Sequence, residues 1–314
     1  MGSSPFSFRK IVICGVGLIG GSLALALRRA GCVQANSEIV GIGRSRASVD
    51  RAVELGVIDS ASTFDDVAGL AAALDGADIV LLAAPVAQTS ALLDVMLPHL
   101  QLHTIVTDAG STKGDVIAAA RTSLGSRIAQ FVPAHPIAGR ERSGVDAAVD
   151  SLYDGRNVVL CPLPESRDDG VALVDAMWRA TGALTHRMTA DQHDRVFASV
   201  SHLPHLLAFA FIDQMLDSAD ANLKFAFAAG GFRDFTRIAA SSPEMWRDVC
   251  LANRDALVEE LDAYTALLGS LRAAIMAGDG ATLEAVFARS RDARTQWQER
   301  GASTPRPSGD LAPK

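Results

Sequence analysis

Ile11-Val12-Ile13-Cys14 passes without a linker into Gly15-Val16-Gly17-Leu18-Ile19-Gly20 and then into a helical pattern that closes near Arg29 and Gly31. Strand, glycine turn and helix in direct succession open a parallel α/β unit, and each glycine meets a separate steric demand. Gly15 permits the tight turn. Gly17 lets a pyrophosphate approach the backbone, and Gly20 lets helix and strand pack closely while the helix N-terminus faces the phosphates. The whole turn, with Val16, Leu18 and Ile19, is therefore read as a dinucleotide-binding segment.

Further β-rich runs follow at Ile39–Ile42, Ile79–Ala83, Thr104–Thr107, Gln130–Ala134, Asn157–Leu160 and Ala183–Arg187, with helical patterns between them. Several are almost continuously apolar, as strands buried on both faces of a parallel sheet must be. Residues 1–188 thus form an α/β, Rossmann-like doubly wound domain. From Thr189 the β-rich runs stop, and residues at helical spacing continue to about Gln298, interrupted at Pro204, Gly230-Gly231, Ser241-Ser242-Pro243 and Gly278-Asp279-Gly280. Residues 189–300 are expected to form an all-helical substrate and dimerisation domain. The Pro/Gly/Ser-rich segment 301–314 lacks the apolar surface to order itself and is expected to fray. The run Leu206-Leu207-Ala208-Phe209-Ala210-Phe211 needs cover on most sides, either from its own domain or from a second copy, and a homodimer is the economical expectation.

Acidic residues number 36 against 29 lysines and arginines, a net charge of −7. With no basic run, nucleic acid is not an expected partner, and an anionic ligand must be met by local positive groups. Cys14, Cys32, Cys161 and Cys250 are far apart and form no CxxC pair, which fits a reducing compartment rather than a zinc cage or disulfide framework. No uninterrupted apolar run reaches membrane-span length and the first residues are polar, so the expected location is cytoplasmic, without membrane attachment.

The second strand decides the cofactor's phosphate state. In NAD-specific folds it ends on a carboxylate that holds the ribose 2′-hydroxyl. Here Ile39-Val-Gly-Ile42 is followed by Gly43-Arg44-Ser45-Arg46. With no carboxylate to repel a 2′-phosphate and with Arg44, Ser45 and Arg46 available to grip one, NADP is favoured and NAD remains possible. Ala83-Ala84-Pro85, at the end of another strand, are small enough to let backbone lie against the cofactor.

Chemistry-bearing residues gather in three places. His135 stands in Pro133-Ala-His-Pro-Ile-Ala-Gly139-Arg140-Glu141 at the end of a β-rich run, where open α/β sheets place their ligands. Ser111, in Asp108-Ala-Gly-Ser-Thr-Lys113, follows a strand and precedes a helix, so its hydroxyl either enters the same crevice or caps the helix. His202 and His205 flank Pro204 in Ser201-His-Leu-Pro-His205; the proline argues against a smooth metal-binding face, and no metal is expected.

Together these motifs resemble the prephenate and arogenate (cyclohexadienyl) dehydrogenase family of tyrosine biosynthesis. The resemblance runs to about Arg300 and includes the glycine turn, His135-Pro-Ile-Ala-Gly139 with Ser143-Gly144, Asp191-Gln-His-Asp194, Ser201-His-Leu-Pro-His205, Gly230-Gly-Phe-Arg-Asp-Phe-Thr-Arg237 and Met245-Trp246-Arg247-Asp248. It implies an NAD(P)-dependent oxidative decarboxylation in which His135 takes the proton of a ring hydroxyl and Ser111 shares that hydrogen bond. It further implies that Arg237, whose apolar surroundings in Phe235-Thr-Arg-Ile-Ala239 point to a buried guanidinium, grips a substrate carboxylate and that His205, His202 and Ser201 order the pocket. Trp246 and Gly230 are implied to lie near the site, Gly230 from its own chain or from the partner subunit, and Glu141 to gate it. Arg140 stands where some relatives carry a small polar residue and is taken as a second positive group for the substrate side chain. Two alternatives share the opening motif: a β-hydroxyacid-type dehydrogenase and a nonenzymatic NADP-responsive binding protein. The first relies on a lysine in the helical half, where Lys224 is the one lysine between Lys113 and Lys314 and lies in an undistinguished context.

Overall fold

A computed structural model of the chain describes residues 6–140, 142–303 and 309–310. The α/β half runs β1 (Lys10–Cys14), α1 (Leu18–Arg29), β2 (Glu38–Gly43), α2 (Arg46–Glu54), β3 (Ser60–Thr63), α3 (Val67–Leu74), β4 (Ile79–Leu82), α4 (Thr89–Met96), β5 (Ile105–Asp108), α5 (Gly114–Leu124), β6 (Phe131–Val132), β7 (Ala134–Pro136), β8 (Asn157–Leu160), α6 (Asp168–Ala180) and β9 (Leu184–Arg187). The helical half comprises α7 (Ala190–Phe197), α8 (Leu203–Leu216), α9 (Ala221–Ala226), α10 (Gly230–Thr236), α11 (Pro243–Ala252), α12 (Arg254–Ala277) and α13 (Gly280–Ser303).

Six strands form a parallel sheet in the order β3-β2-β1-β4-β5-β6. Side chains alternate across it: Ile11 and Ile13 of β1 enter the core beneath α1 and α6, while Val12 and Cys14 enter the core formed with α3, α4 and α5. Each such side chain, taken wholly out of water, contributes roughly 1.5–3 kcal/mol. The strand order reverses between β1 and β4, the place where doubly wound sheets open a crevice for ligands.

Two features of the sheet depart from the pattern in the sequence. β3, Ser60-Ala-Ser-Thr63, is made of small and polar residues and gives no apolar run, because it is an edge strand paired on one side only by β2. The run 130–134 is not one strand. Pro133 has no N–H to donate to a ladder, and the chain divides there into β6, which stays in the parallel sheet, and β7, which pairs antiparallel with β8 in a second sheet with β9. The Pro133 carbonyl accepts the Cys161 N–H at 2.9 Å.

The interruptions of the helical half also resolve differently from expectation. Pro204 does not end a helix; α7, a five-residue π-helical stretch Ala198–His202 and α8 form one continuous helix from Ala190 to Leu216, with Pro204 in the first turn of α8 where its missing N–H is tolerated. By length and composition alone this helix is apolar enough to cross a membrane, more than its broken sequence pattern indicates. Its polar side chains instead serve a cavity against the α/β half. Gly230-Gly231 begin α10 rather than ending a helix, with Ala229 extended before them. α13 runs past residue 300 to Ser303, and Gly309–Asp310 pairs in parallel with β9. Part of the segment expected to fray therefore finds hydrogen bonds on the edge of the second sheet, and the rest lies outside the described residues.

Neither of the two large apolar cores lies in the helical half. On α8 only Leu203, Ala208 and Met215 are buried, while Phe211, Leu216, Leu223, Phe227, Ile275 and Met276 of that half are exposed.

Candidate active site

The crevice at the carboxyl ends of β1, β2 and β4 has the shape its glycines require. Gly15 has φ +99°, and a Cβ there would meet the Ala83 carbonyl oxygen at 2.7 Å. A Cβ on Gly20 would strike the Gly15 carbonyl and the Ile13 side chain, whereas one on Gly17 would meet nothing within 4 Å. Backbone at Gly17 is thus open to an approaching group. α1 starts at Leu18 with no side-chain cap at Gly17, so its first amides are available to an anion, and Ala83 and Ala84 lie against the turn at Gly15. These features fit a dinucleotide's pyrophosphate. At the end of β2, Ser45 flanks α2 without capping it, Arg44 is exposed, and Arg46 pairs with Asp50 at 2.9 Å.

Beyond β5 lies a cavity of about 930 Å³ lined by residues from both halves. Ser111, His135, Arg140, Ser201, His205, Arg237 and Trp246 all border it. A smaller cavity of about 240 Å³ adjoins it, sharing Arg140 and adding Arg156.

Each of these side chains is fixed by its element. Asp108, the last residue of β5, accepts the N–H groups of Gly110 at 2.8 Å and Ala134 at 3.0 Å and pairs with the buried Lys113 ammonium at 2.5 Å. This carboxylate curls the loop that carries Ser111 and ties it to the strand that carries His135. Ser111 does not cap α5: the helix starts at Gly114, and Asp194 of α7 accepts the N–H groups of Lys113 at 2.9 Å and Gly114 at 2.7 Å. The Ser111 hydroxyl is left to the cavity.

His135, on β7 opposite Val159, is 9% exposed and packs against Phe197, with ring centroids 4.9 Å apart. Its Nδ1 lies 2.8 Å from His193 Nε2, and His193 Nδ1 lies 2.8 Å from Asp194 Oδ1. Burial, and then the adjacent His193, Lys113 and His202, hold the His135 imidazole well below its ordinary 6.5, so it is neutral at neutral pH.

His205 sends Nδ1 to the Ser201 carbonyl at 2.8 Å and stacks on Trp246 with ring centroids 3.7 Å apart. Burial lowers its pKa, offset by the Ser201 carbonyl and reinforced by Arg237. The neutral ring donates from Nδ1, leaving a lone pair on Nε2. The indole Nε1 of Trp246 is buried without a hydrogen-bond partner.

One expectation is corrected here, and two further residues lie outside the cavity of the single chain. Arg237 is not a buried guanidinium: it opens a short 3₁₀ turn, Arg237–Ala240, and is exposed at the cavity wall, where it also influences His205. Of the apolar neighbours that pointed to burial, Phe235 is itself exposed and Ile238 lines the same cavity. His202 is not among the residues lining the cavity; it is 1% exposed, its Nδ1 lies 3.0 Å from Asn253 Nδ2, and burial with His193 nearby pushes its pKa down to about 4. Gly230 is exposed and does not border the cavity within one chain. Glu141 lies outside the described residues. His193 and Asp194 were visible in the sequence only as part of a motif. The signal that they belong to the site is a histidine beside an aspartate on a helix whose capping box, Thr189 with Gln192, fixes where it begins.

Residues 23–186 match the family described as prephenate dehydrogenase, nucleotide-binding domain, and residues 189–289 match its dimerization domain. The chain belongs to the prephenate dehydrogenase family. It is 35% identical over 286 residues to a prephenate dehydrogenase of Bacillus subtilis, covering 90% of this chain and 75% of that one. It is 36% identical to a cyclohexadienyl dehydrogenase of Zymomonas mobilis, over 91% of this chain and 95% of that one. Among solved structures, the Aquifex aeolicus prephenate dehydrogenase in complex with hydroxyphenyl propionate and NAD+ superposes with a TM-score of 0.84 at 34% identity, covering 93% of this chain and 99% of that one. The family is one of nicotinamide-dependent oxidoreductases, and the α/β fold followed by a helical half is that of its members.

Proposed function

We infer that the cavity oxidises and decarboxylates prephenate, and accepts arogenate, with the nicotinamide of a dinucleotide lying along the adjoining crevice. The observation that carries this reading is the convergence of Ser111, His135, Ser201, His205 and Arg237 on one cavity beside the glycine turn. A bound nicotinamide supplies the hydride acceptor. The chain's own part is to hold the ring carbon bearing hydroxyl and hydride at that acceptor and to move one proton. His135 Nε2 accepts the hydroxyl proton as the carbon becomes a carbonyl, with Ser111 steadying the oxygen. Loss of the ring carboxylate as CO2 then returns an electron pair to the carbonyl, and the resulting phenolate takes the proton back. Arg237 offers a planar fork to one substrate carboxylate, and Arg140 adds a second positive group toward the substrate side chain.

The lack of a carboxylate at the end of β2 supports NADP over NAD. Because Arg46 is engaged by Asp50, the 2′-phosphate would rest chiefly on Arg44 and Ser45. Initial rates with prephenate and arogenate, each against NADP and NAD, test both readings. Prephenate turnover with a higher kcat/KM for NADP is expected, and Arg44→Ala should cut the NADP-to-NAD ratio on the order of 10-fold. No turnover of either substrate would overturn the assignment, and a wild-type preference for NAD would overturn the phosphate reading.

Two copies pairing through the helical half would cover its exposed apolar side chains, a reading supported by the dimerization-domain match. Sedimentation at micromolar concentration should give the mass of two chains. Leu216→Glu with Phe227→Glu should weaken association on the order of 10- to 100-fold. A monomer at all concentrations would sink this reading. The free thiols Cys14, Cys32, Cys161 and Cys250 support a cytoplasmic setting.

A further inference from the structure

Asp194 sits on the helical half, yet both of its oxygens are spent on the α/β half and on His193. Oδ1 accepts the Lys113 N–H at 2.9 Å and lies 2.8 Å from His193 Nδ1, and Oδ2 accepts the Gly114 N–H at 2.7 Å. A carboxylate that takes two backbone amides at the start of α5 is an acceptor only. Although burial works against its charge, the His193 ring and those amides hold Asp194 below the usual carboxylate range, so it is ionised.

From this one fixed end the direction of every proton in the chain follows. His193 must donate from Nδ1 to Asp194, and a neutral His193 then has only a lone pair on Nε2. Burial keeps His193 neutral, with Asp194 partly offsetting. The 2.8 Å contact between His193 Nε2 and His135 Nδ1 therefore has His135 as donor. The remaining nitrogen of His135, Nε2, carries the lone pair.

We propose that His193 and Asp194 are positioning residues that lock His135 in the Nδ1–H tautomer, presenting a basic Nε2 to the substrate hydroxyl. Neither touches the cavity, and each acts through the imidazole it holds. In the transition state the proton arriving at Nε2 makes His135 an imidazolium, which donates more strongly to His193, and the charge is balanced through that ring by Asp194. No proton need pass along the chain. The logic is that of an orienting aspartate behind a catalytic histidine, with a second imidazole inserted between them.

The proposal takes its purpose from the oxidoreductase reading above, but its primary test does not depend on turnover. In protein labelled with ¹⁵N-histidine, with His135 assigned by its loss in His135→Asn, long-range proton–nitrogen spectra at neutral pH are expected to show a protonated Nδ1 and a pyridine-like Nε2. A predominant Nε2–H tautomer in the wild-type protein would overturn the proposal. A protein that shows the Nδ1–H tautomer but turns over neither substrate would instead remove the functional reading and leave the lock standing.

Asp194→Asn supplies the second arm. With its oxygen at the Oδ2 position still accepting the Gly114 N–H, the amide can turn its NH₂ to His193 Nδ1 at the cost of the Lys113 N–H bond, reversing both tautomers and leaving His135 with Nε2–H. We expect kcat to fall on the order of 10²–10⁴-fold, with the substrate KM changed less than about threefold and the His135 spectrum moved to the Nε2–H form. The pH profile separates positioning from mere loosening. The groups facing the His135–His193 pair are Asp194 on α7, Asp108 and Lys113 around the β5 loop, and His202 on the π-helical stretch. Removing the one carboxylate in contact with the pair disfavours its protonated form, so the acidic limb of the residual activity should move to lower pH. A limb that climbs toward 6.5, as it would if water entered a loosened site, with the tautomer unchanged, would count against the lock. Asp194→Glu, which restores charge, is expected to recover the wild-type tautomer.

Discussion

His135→Asn is expected to lower kcat on the order of 10²–10⁴-fold while leaving the affinity for the dinucleotide within about twofold of wild type. The size follows from what the substitution removes. Asparagine fills the space of the imidazole in part and its amide can still bond to His193, so packing against Phe197 and the β7–β8 pairing survive. No group remains that can take a proton at the Nε2 position. Hydride loss would then leave a charged oxygen with only Ser111 nearby, and the residual rate would rest on positioning and on the electrostatics of the cavity. Because the glycine turn that would hold the pyrophosphate and the His135 imidazole lie at different strand ends, fluorescence titration with the reduced dinucleotide should be almost unmoved. A variant that retains turnover near wild type would remove His135 from the chemistry. The wild-type rate should also hold steady down to pH below 6.5, since His135 must be neutral to act and its environment depresses its pKa.

Lys113→Met is expected to destabilise the protein by about 3–5 kcal/mol, the range for a buried charge deprived of its partner. The ammonium is 0% exposed and its partner Asp108 is 3% exposed, so solvent cannot take over the lost interaction. The two amides that Asp108 also accepts soften the loss without neutralising it. Thermal unfolding should shift down on the order of 10 °C. Adding Asp108→Asn to Lys113→Met removes the unpaired charge and is expected to recover part of the shift. An unchanged melting temperature in the single variant would contradict the burial argument. This pair is also why activity should suffer: it shapes the loop of Ser111 and the approach to His135 together.

Much of the α/β half was legible because its signals are local. A glycine turn after a buried strand constrains φ, contact distance and helix start within six residues, and Gly15 and Gly20 show those constraints directly. What escaped the sequence depends on partners far along the chain. β3 exists because β2 has an unpaired side, not because Ser60–Thr63 favours a strand. The division at Pro133 needs β8, which lies more than twenty residues on, to receive the detached strand. Arg237 was expected to be buried from its apolar neighbours, but a 3₁₀ turn rotates it to the cavity wall. The α5 cap was assigned to the nearby Ser111 as one of two roles, whereas the structure draws it from Asp194, whose separation from the amides it binds is 80 to 81 residues. Periodicity carries no information about such contacts.

The strand that carries His135 has a length constraint of its own. Its partner opposite is Val159, and neighbouring positions face alternate sides of the sheet. Adding or deleting a single residue between Pro133 and His135 would turn the imidazole to the reverse side of the ribbon, out of reach of both His193 and the cavity. Evolution or engineering can exchange side chains in this short stretch, but it cannot change the count.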